Sequence, residues 1–296
     1  MTIEKYLDNI FEQLKREVND MSTLCVLKDV NYQHENIPDY SNAAVQLLYC
    51  LRYHFGYACE YEKMYENILS KLDDKSEISV LSIGCGNGID LWALQDAINR
   101  RNIDLKINYY GIDYIDWSNK INGRDCDNVN YVTSNINDIE DSIDDLTNID
   151  VLIFPKSISE IQSSDLIHIA NFISRRSKTL YVMASYRNSD YALDQDIDKI
   201  KELCTYLKRS GFTLSDSDPE CYYCYEDKEK GIRSIYYDYI YPNEVIDYIS
   251  KLYDKCNYYD RENNVCNICT DSLSRRPILT LRNIAYNILT FNSIDL

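Results

Sequence analysis

Apolar residues recur at three- and four-residue intervals through the first part of the chain. One apolar stripe runs along an otherwise charged segment over 3–18, which predicts an amphipathic helix. A second stripe covers 43–55 and a third covers 61–72, and Gly56 predicts an interruption between them. The pattern therefore predicts a helical N-terminal cap over residues 1–77.

From residue 78 the pattern changes to short apolar runs separated by segments of helical length. The runs, rich in Val, Ile, Leu and Tyr, lie at 78–83, 107–112, 129–133, 150–154 and 179–184. The helical segments between them include 91–98, 163–174 and 193–207. Strands that alternate with helices indicate βαβ units, and therefore an α/β fold with a mostly parallel sheet covered on both faces.

The last third of the chain has a different pattern. Two strand-like stretches at 212–225 and 232–241 predict a long antiparallel hairpin that closes the sheet. A short helix follows, and cysteines are frequent in the remaining residues. We therefore divide the chain into the N-terminal cap, an α/β domain over 78–242 and a small Cys-containing C-terminal extension over 243–296.

Charge and hydropathy exclude several classes of protein. The chain of 296 residues has a net charge of −17, which repels polyphosphate across most of its surface. No apolar run approaches the ~18 residues of a membrane span. The first residues lack the basic start and apolar stretch of a signal peptide. We therefore expect a cytoplasmic protein that does not bind membranes.

Glycine is scarce, yet three of the 8 glycines fall within five positions, at Gly84, Gly86 and Gly88. They directly follow a predicted buried strand and precede a predicted helix. Glycines at such a place let the backbone turn sharply and let a ligand lie against bare main chain. A dinucleotide site has the spacing G-x-G-x-x-G, whereas here the third glycine comes one residue earlier. This spacing disfavours a nicotinamide-dependent oxidoreductase.

The glycine motif resembles motif I of the class I S-adenosylmethionine-dependent methyltransferases, and the resemblance covers roughly residues 40–241. It implies a Rossmann-like fold with a seven-stranded, mostly parallel sheet. It also implies that the loop carrying Gly84, Cys85, Gly86 and Gly88 passes under the methionine portion of S-adenosylmethionine.

The same resemblance implies further cofactor-binding residues. An acid should end the second strand and accept hydrogen bonds from both ribose hydroxyls, and Asp113 stands there with Tyr114 beside it. A polar loop after the third strand should contact the adenine, and Asn135, Ile136 and Asp138 fit it, although the polar residues also suit a helix cap.

One position departs from the family's pattern. Methyltransferases of this class usually carry an acid two residues before the first glycine, where this chain has Ser82. A hydroxyl accepts a hydrogen bond but forms no ion pair with the cofactor's amino group. Asp90, in the first turn of the next helix, is the candidate substitute.

Catalytic residues in this fold come from the loop after the fourth strand. There Lys156, Ser157 and Glu160 are candidates to orient or deprotonate a methyl acceptor, and the alternative is that Ser157 and Glu160 only begin the next helix. The loop has neither the Asn/Asp-Pro-Pro-aromatic pattern of enzymes that methylate amino groups of adenine, cytosine or glutamine, nor the Pro-Cys of cytosine carbon-5 enzymes. We therefore expect a transferase acting on another oxygen or nitrogen acceptor.

A weaker resemblance leaves a second class of function open. The Ser-x-x-Glu after the fourth strand, the tyrosine-rich N-terminal helices and the downstream cysteines are similar to methyltransferase-like proteins associated with the small ribosomal subunit. Members of that group can lack transferase activity and act in assembly. The alternative is therefore a non-catalytic cofactor-binding or assembly protein.

Five cysteines near the C-terminus have spacings that suit zinc: Cys221, Cys224, Cys256, Cys266 and Cys269. Four thiolates make a closed tetrahedral zinc shell, although reduced thiols without metal are the alternative reading. RNA could bind only through a local basic patch, which we predict at Arg275, Arg276 and Arg282. The charge of the rest of the chain favours a small-molecule or protein acceptor.

Overall fold

The computed structural model describes residues 2–18, 24–31, 38–143, 146–187, 190–215, 218–226, 240–256, 273, 275–279 and 283–294. The chain divides into two compact units. The first comprises Met1–Tyr57, Trp117–Asn119 and Ile232–Leu281, and the second comprises Ala58–Asp116, Lys120–Gly231 and Arg282–Leu296. Each unit is described by itself.

The second unit contains a sheet with strands β1 (Glu77–Ile83), β2 (Lys106–Asp113), β3 (Asn128–Thr133), β4 (Val151–Pro155), β5 (Thr179–Tyr186), β6 (Phe212–Ser215), β7 (Tyr223–Glu226) and β8 (Asn283–Ser293). Their order across the sheet is β3-β2-β1-β4-β5-β8-β6, and β7 also pairs with β8. The first five strands are parallel, and β8 runs antiparallel to its neighbours on both sides.

The helices of at least eight residues are α1 (Ile3–Glu17), α2 (Ala43–Leu69), α3 (Ile89–Arg101), α4 (Ser163–Ser174), α5 (Asp190–Arg209) and α6 (Asn243–Ser250). Shorter helical turns lie at Cys25–Asn31, Ile136–Asp138, Ile139–Ser142, Ile158–Glu160 and Leu252–Lys255. None of the described helices combines the length and the apolar character that crossing a membrane requires.

The predicted alternation of strands and helices from residue 78 onward is confirmed. All five predicted parallel strands are present, with ends within two residues of the predicted ones. Pairing in register, such as Ser82 opposite Gly111 and Ile153, brings the carboxyl ends of the parallel strands to one edge of the sheet. Ligands of open α/β sheets bind at this edge, so the fold itself locates the candidate site.

The predicted helix break at Gly56 is wrong. The helix α2 runs without interruption from Ala43 to Leu69. A glycine inside a helix costs only about 1 kcal/mol relative to alanine. Buried residues on either side, including Phe55 and Ala58, make the continuous helix the favourable arrangement.

The predicted hairpin also differs from the structure. The stretch 212–225 forms two short strands, β6 and β7, which pair with successive parts of β8. Residues 232–239, which were predicted to form the second hairpin strand, lie outside the described residues. Because β6 and β7 share one edge position, the eight strands fill the seven positions that the resemblance implies.

Strand β8 comes from the segment that the sequence analysis placed in the C-terminal extension. It inserts between β5 and β6 and pairs with β5 over eight residues. Its side chains Leu289 and Phe291 are fully buried in the same apolar core as Leu152 and Phe154 of β4. The C-terminal residues therefore complete the sheet.

The regular elements described in the first unit are helices. The apolar face of α1, which includes Ile3, Leu7 and Leu14, is buried, as the amphipathic pattern predicts. Residues after 240 belong to the same unit: the Tyr241 hydroxyl donates to the Leu51 carbonyl oxygen at 2.7 Å, and the Ile278 amide donates to the Arg52 carbonyl oxygen at 2.7 Å.

Candidate cofactor site

The glycine loop follows β1 and leads directly into α3. Its three glycines all have positive φ angles, +68° at Gly84, +57° at Gly86 and +88° at Gly88. The amides of Gly84 and Cys85 donate to the Ile112 carbonyl oxygen at 2.8 and 3.2 Å, which joins the loop to the end of β2. Side chains other than glycine rarely adopt these φ values, so this backbone needs glycine.

Packing within the protein gives a second reason for two of the glycines. A Cβ atom on Gly84 would lie 2.5 Å from Cβ of Ser157, and one on Gly88 would lie 1.9 Å from the Tyr131 hydroxyl. Neighbouring side chains of the protein therefore occupy the space beside Gly84 and Gly88. For Gly86, the structure shows the positive φ and an amide that donates to Asp113.

Asp113 ends β2 and is tied to the glycine loop. One carboxylate oxygen accepts a hydrogen bond from the Gly86 amide at 2.8 Å, and the other accepts one from the Ile115 amide at 2.9 Å. A carboxylate has about four lone-pair positions, so two such bonds are compatible with further donors such as ribose hydroxyls. The strand-end acid and the glycine turn thus lie together, as a nucleoside cofactor requires.

The other residues assigned to the cofactor lie at the same edge of the sheet. Tyr114 is 63% exposed, and its pKa is raised by partial desolvation and by the carboxylates of Glu160 and Asp113. The loop after β3 is joined to β2 by a hydrogen bond from the Ser134 amide to the Asp113 carbonyl oxygen. In that loop Asn135 and Asp138 are exposed and Ile136 is half-buried.

Ser82 and Asp90 occupy a buried position behind the loop. Both residues have 0% exposure. The Tyr109 hydroxyl lies 3.0 and 3.1 Å from the two carboxylate oxygens of Asp90 and donates to them. Burial raises the pKa of Asp90 to about 6, although Ser82 and Tyr109 act in the opposite direction. Cys85 is also buried, and burial raises the pKa of its thiol.

Two of the three candidate catalytic residues have structural partners. The Lys156 ammonium contacts Glu60 at 2.9 Å, the Ser185 hydroxyl at 3.0 Å and the Tyr186 carbonyl oxygen at 2.9 Å. These bonds occupy the three donors of the ammonium group. The Ser157 hydroxyl donates to the Ile83 carbonyl oxygen at 2.5 Å and is buried.

Glu160 is exposed and lies near Asp113 and near two charged residues that the sequence analysis missed, Arg187 and Asp196. Desolvation raises the pKa of Glu160, Arg187 lowers it, and the carboxylates of Asp113 and Asp196 raise it further. Arg187, which follows β5, is held by the fully buried Asp196 at 3.0 Å and by the Ser159 hydroxyl. A charged residue directly after a buried strand is the sequence signal that points to Arg187.

The candidate zinc ligands lie only partly within the described residues. Cys221 is exposed and Cys256 is half-buried, whereas the Cys224 side chain, Cys266 and Cys269 fall outside them. Among the side chains that are described, no three metal-ligating groups come together. In the arginine patch, Arg275 and Arg276 are exposed, and Arg282 is again outside the described residues.

Two clefts lie away from the glycine loop. One, of about 830 Å³, is lined by residues that include Lys71, Tyr181 and Tyr222. The other, of about 390 Å³, includes Asp150 and lies where β1 and β4 begin. Neither includes the glycine loop or Asp113 among its lining residues.

Five parallel strands in the order 3-2-1-4-5, followed by an antiparallel strand inserted before the sixth, define the class I methyltransferase fold. No protein-family model and no curated protein sequence matches the chain. Solved structures are similar at low identity. The plantazolicin methyltransferase BpumL, solved in complex with SAH (S-adenosylhomocysteine), is 12% identical, with coverage of 95% of this chain and 99% of that one and a TM-score of 0.41.

Two further structures show the same level of similarity. MnmC2 from Aquifex aeolicus is 14% identical, with coverage of 53% of this chain and 56% of that one and a TM-score of 0.39. A Thermoplasma acidophilum protein, numbered 1320, is 11% identical, with coverage of 97% and 99% and a TM-score of 0.35.

Proposed function

We propose that the chain is an S-adenosylmethionine-dependent methyltransferase that acts on an oxygen or nitrogen acceptor. The observation that carries the proposal is the hydrogen bond from the Gly86 amide to Asp113, which places a strand-end carboxylate against a glycine turn of positive φ. The turn offers bare main chain and the carboxylate accepts hydrogen bonds from a vicinal diol. Together these features fit a nucleoside cofactor.

The chain's own residues account for binding and orientation. When bound, S-adenosylmethionine supplies an activated methyl group, so the protein has chiefly to align the acceptor and remove its proton. Lys156 and Ser157 fix the loop after β4 through their bonds to Glu60 and to the Ile83 carbonyl oxygen. Glu160 is the remaining candidate base, because the residue is exposed and partial desolvation raises the pKa of its carboxyl.

The charge of the chain supports a small-molecule or protein acceptor. The net charge of −17 disfavours RNA, which would have to bind through a local patch such as that at Arg275 and Arg276. Glu160 and Asp113 are both acidic at this edge, and Arg187 beside Glu160 is already paired with the buried Asp196. An acceptor without negative charge is therefore favoured.

Titration calorimetry with SAH tests the proposal. We expect wild-type protein to bind SAH and not NADH, and Asp113→Ala to weaken SAH binding by roughly 1.5–3 kcal/mol, the scale of hydrogen bonds to a charged acceptor. Asp113→Asn, which keeps one acceptor oxygen, should lose less. Gly86→Val should abolish binding, because Val strains the loop backbone and fills the space beside it.

Asp198→Ala is the matched control, since Asp198 is an exposed carboxylate on α5 paired with Lys201. It should leave SAH binding unchanged. Binding of NADH with no heat from SAH would overturn the methyltransferase proposal. Unchanged SAH affinity in Asp113→Ala would remove Asp113 from the site.

A second candidate is a non-catalytic protein that uses the same site for binding. The engagement of Lys156 and Ser157 in structural bonds favours it, because it leaves Glu160 alone among the predicted catalytic side chains. Cofactor binding does not separate the two functions. Single-turnover transfer of a labelled methyl group to candidate acceptors does, and the methyltransferase proposal expects product that Glu160→Gln reduces.

A further inference from the structure

Asp90 is a fully buried carboxylate in the first turn of α3, directly behind the glycine loop. Its carboxylate accepts a hydrogen bond from the Tyr109 hydroxyl of β2 at 3.0 Å. Hydrogen bonds from the backbone amides of Asp90 and Leu91 lower the pKa of the carboxyl. The helix begins at Ile89, and its N-cap residue Gly88 provides no side-chain cap. The carboxyl therefore links β2 to the start of α3.

The groups around this carboxyl are neutral. They come from each element packed against it: Tyr65 on α2, Ser82 on β1, Cys85 in the glycine loop, Tyr109 on β2 and Tyr131 on β3. A buried carboxylate with neutral neighbours is costly when it is ionised, which agrees with its pKa of about 6.

A purely structural role does not need this charge. An amide of the same shape would accept the Tyr109 hydroxyl and would avoid the cost of a buried ion. The carboxyl also lies beside position 82, where the resemblance to the methyltransferases implies an acid. The Ser82 hydroxyl there is close enough to lower the pKa of Asp90, although it completes no hydrogen bond of normal geometry.

We propose that Asp90 is a positioning residue of the cofactor site: from α3 it supplies, behind the glycine loop, the negative charge that Ser82 does not supply. The inference rests on the proposed function. S-adenosylmethionine and SAH both carry the amino group, but only S-adenosylmethionine carries a sulfonium charge, so a fixed negative charge near the methionine portion stabilises S-adenosylmethionine more than SAH. The charge therefore favours the methyl donor over the product, at a cost in folding stability.

Calorimetry with both ligands at pH 8, together with thermal unfolding, tests the proposal. We expect Asp90→Asn to weaken S-adenosylmethionine binding about tenfold and SAH binding at most about threefold, the scale of one charge-assisted interaction. Its melting temperature without ligand should equal or exceed that of wild type, because a buried charge is gone. Asp96→Asn, which removes a partly exposed carboxylate from the same helix, is the matched control. It should change the affinity for neither ligand.

Placing a carboxylate at position 82 instead of position 90 is the rescue experiment. The double variant Ser82→Asp/Asp90→Asn should restore the affinity ratio of the two ligands to within about threefold of wild type. A merely structural Asp90 predicts the opposite pattern: both affinities and the melting temperature fall together, with no rescue. That result, or an unchanged ratio in Asp90→Asn, overturns the inference.

A further measurement uses the wild-type protein and therefore does not depend on whether a variant folds. The affinity for S-adenosylmethionine relative to that for SAH should fall as the pH is lowered from 8 to 5, since Asp90 takes up a proton near pH 6. Glu160→Gln should keep this pH dependence, which separates Asp90 from the other carboxyl of raised pKa. A flat ratio overturns the inference alone, whereas absence of binding by either ligand overturns the proposed function as well.

Discussion

The imidazole of His54 is fully buried on α2, where its Nδ1 lies 3.1 Å from the Tyr6 hydroxyl. Burial lowers the pKa of His54 to about 3, because the charged form loses its hydration. The unfolded chain protonates this residue near its ordinary pKa of about 6.5. The histidine is thus held neutral through the range in which an exposed histidine titrates.

This shift predicts acid destabilisation. Below pH 6.5 the unfolded state binds a proton that the folded state excludes, so the free energy of unfolding falls as the pH falls. Between pH 7 and pH 5 we expect a loss of about 2 kcal/mol from this residue. Chemical denaturation at the two pH values measures it.

His54→Gln should remove that part of the pH dependence, and His168→Gln, at an exposed position on α4, should retain it. Asp90 titrates in the same interval with the opposite sign, because its folded pKa is raised. The difference between wild type and His54→Gln therefore isolates the histidine. Identical pH profiles for the two proteins would contradict the assignment.

At the level of elements, the ends of β4 and β5 are held together by a buried ion pair. Glu60 of α2 has 0% exposure and meets both Lys156 and the Ser185 hydroxyl. Lys156 has a φ of +60°, which is unusual for a residue other than glycine. The ion pair and the hydrogen bonds hold the backbone in this conformation.

Breaking this pair should destabilise the fold. Lys156→Met leaves the Glu60 carboxylate buried without its cation, for which we expect a loss of about 3–5 kcal/mol in the free energy of unfolding. The double variant Lys156→Met/Glu60→Leu should recover much of that loss, because no unpaired charge remains. Lys199→Met, which breaks a surface pair with Glu202, should cost less than about 1 kcal/mol.

A Lys156→Met protein with wild-type stability and no methyl transfer would contradict this account. It would return Lys156 to a direct catalytic role, as the sequence analysis expected.

For the whole molecule, the position of β8 makes the C-terminus part of the fold. Phe291 is fully buried and lies opposite Leu180 of β5 and Leu214 of β6. We expect Phe291→Ala to cost about 3–5 kcal/mol, the usual loss for a large core side chain. Asn292→Ala, at the neighbouring exposed position, should cost about 1 kcal/mol.

Removal of residues 283–296 should prevent the second unit from folding, since β5 would lose its antiparallel partner. Circular dichroism and limited proteolysis measure the result. A truncated protein with an intact, protease-resistant sheet would show that β8 is dispensable.

The cysteines support a further prediction for the whole chain. If Cys256, Cys266 and Cys269 bind zinc, purified protein should contain about one zinc per chain, because neighbouring thiolates need a cation to neutralise them. Chelation should then expose residues between about 254 and 282 to protease while the sheet, including β8, stays folded. Elemental analysis that finds no zinc or iron in protein purified under reducing conditions would contradict the site.

Local patterns in the sequence were sufficient to predict the parallel strands, the helices between them and the glycine loop. Apolar runs of strand length reveal buried strands by themselves, and positive φ angles restrict the loop to glycine. Asp113 was predicted from the resemblance to the methyltransferases, and the structure places it at the end of β2. These features depend on residues that are close together in the chain.

Only the tertiary structure decided the partners that lie far apart in the chain. Thr179 pairs with Asn292, and Lys156 pairs with Glu60, across about a hundred residues in each case. A sequence pattern records that a segment is apolar or a residue charged, but not which distant group it meets. For that reason the strand β8 and the structural use of Lys156 and Ser157 emerged only when the sheet brought these groups together.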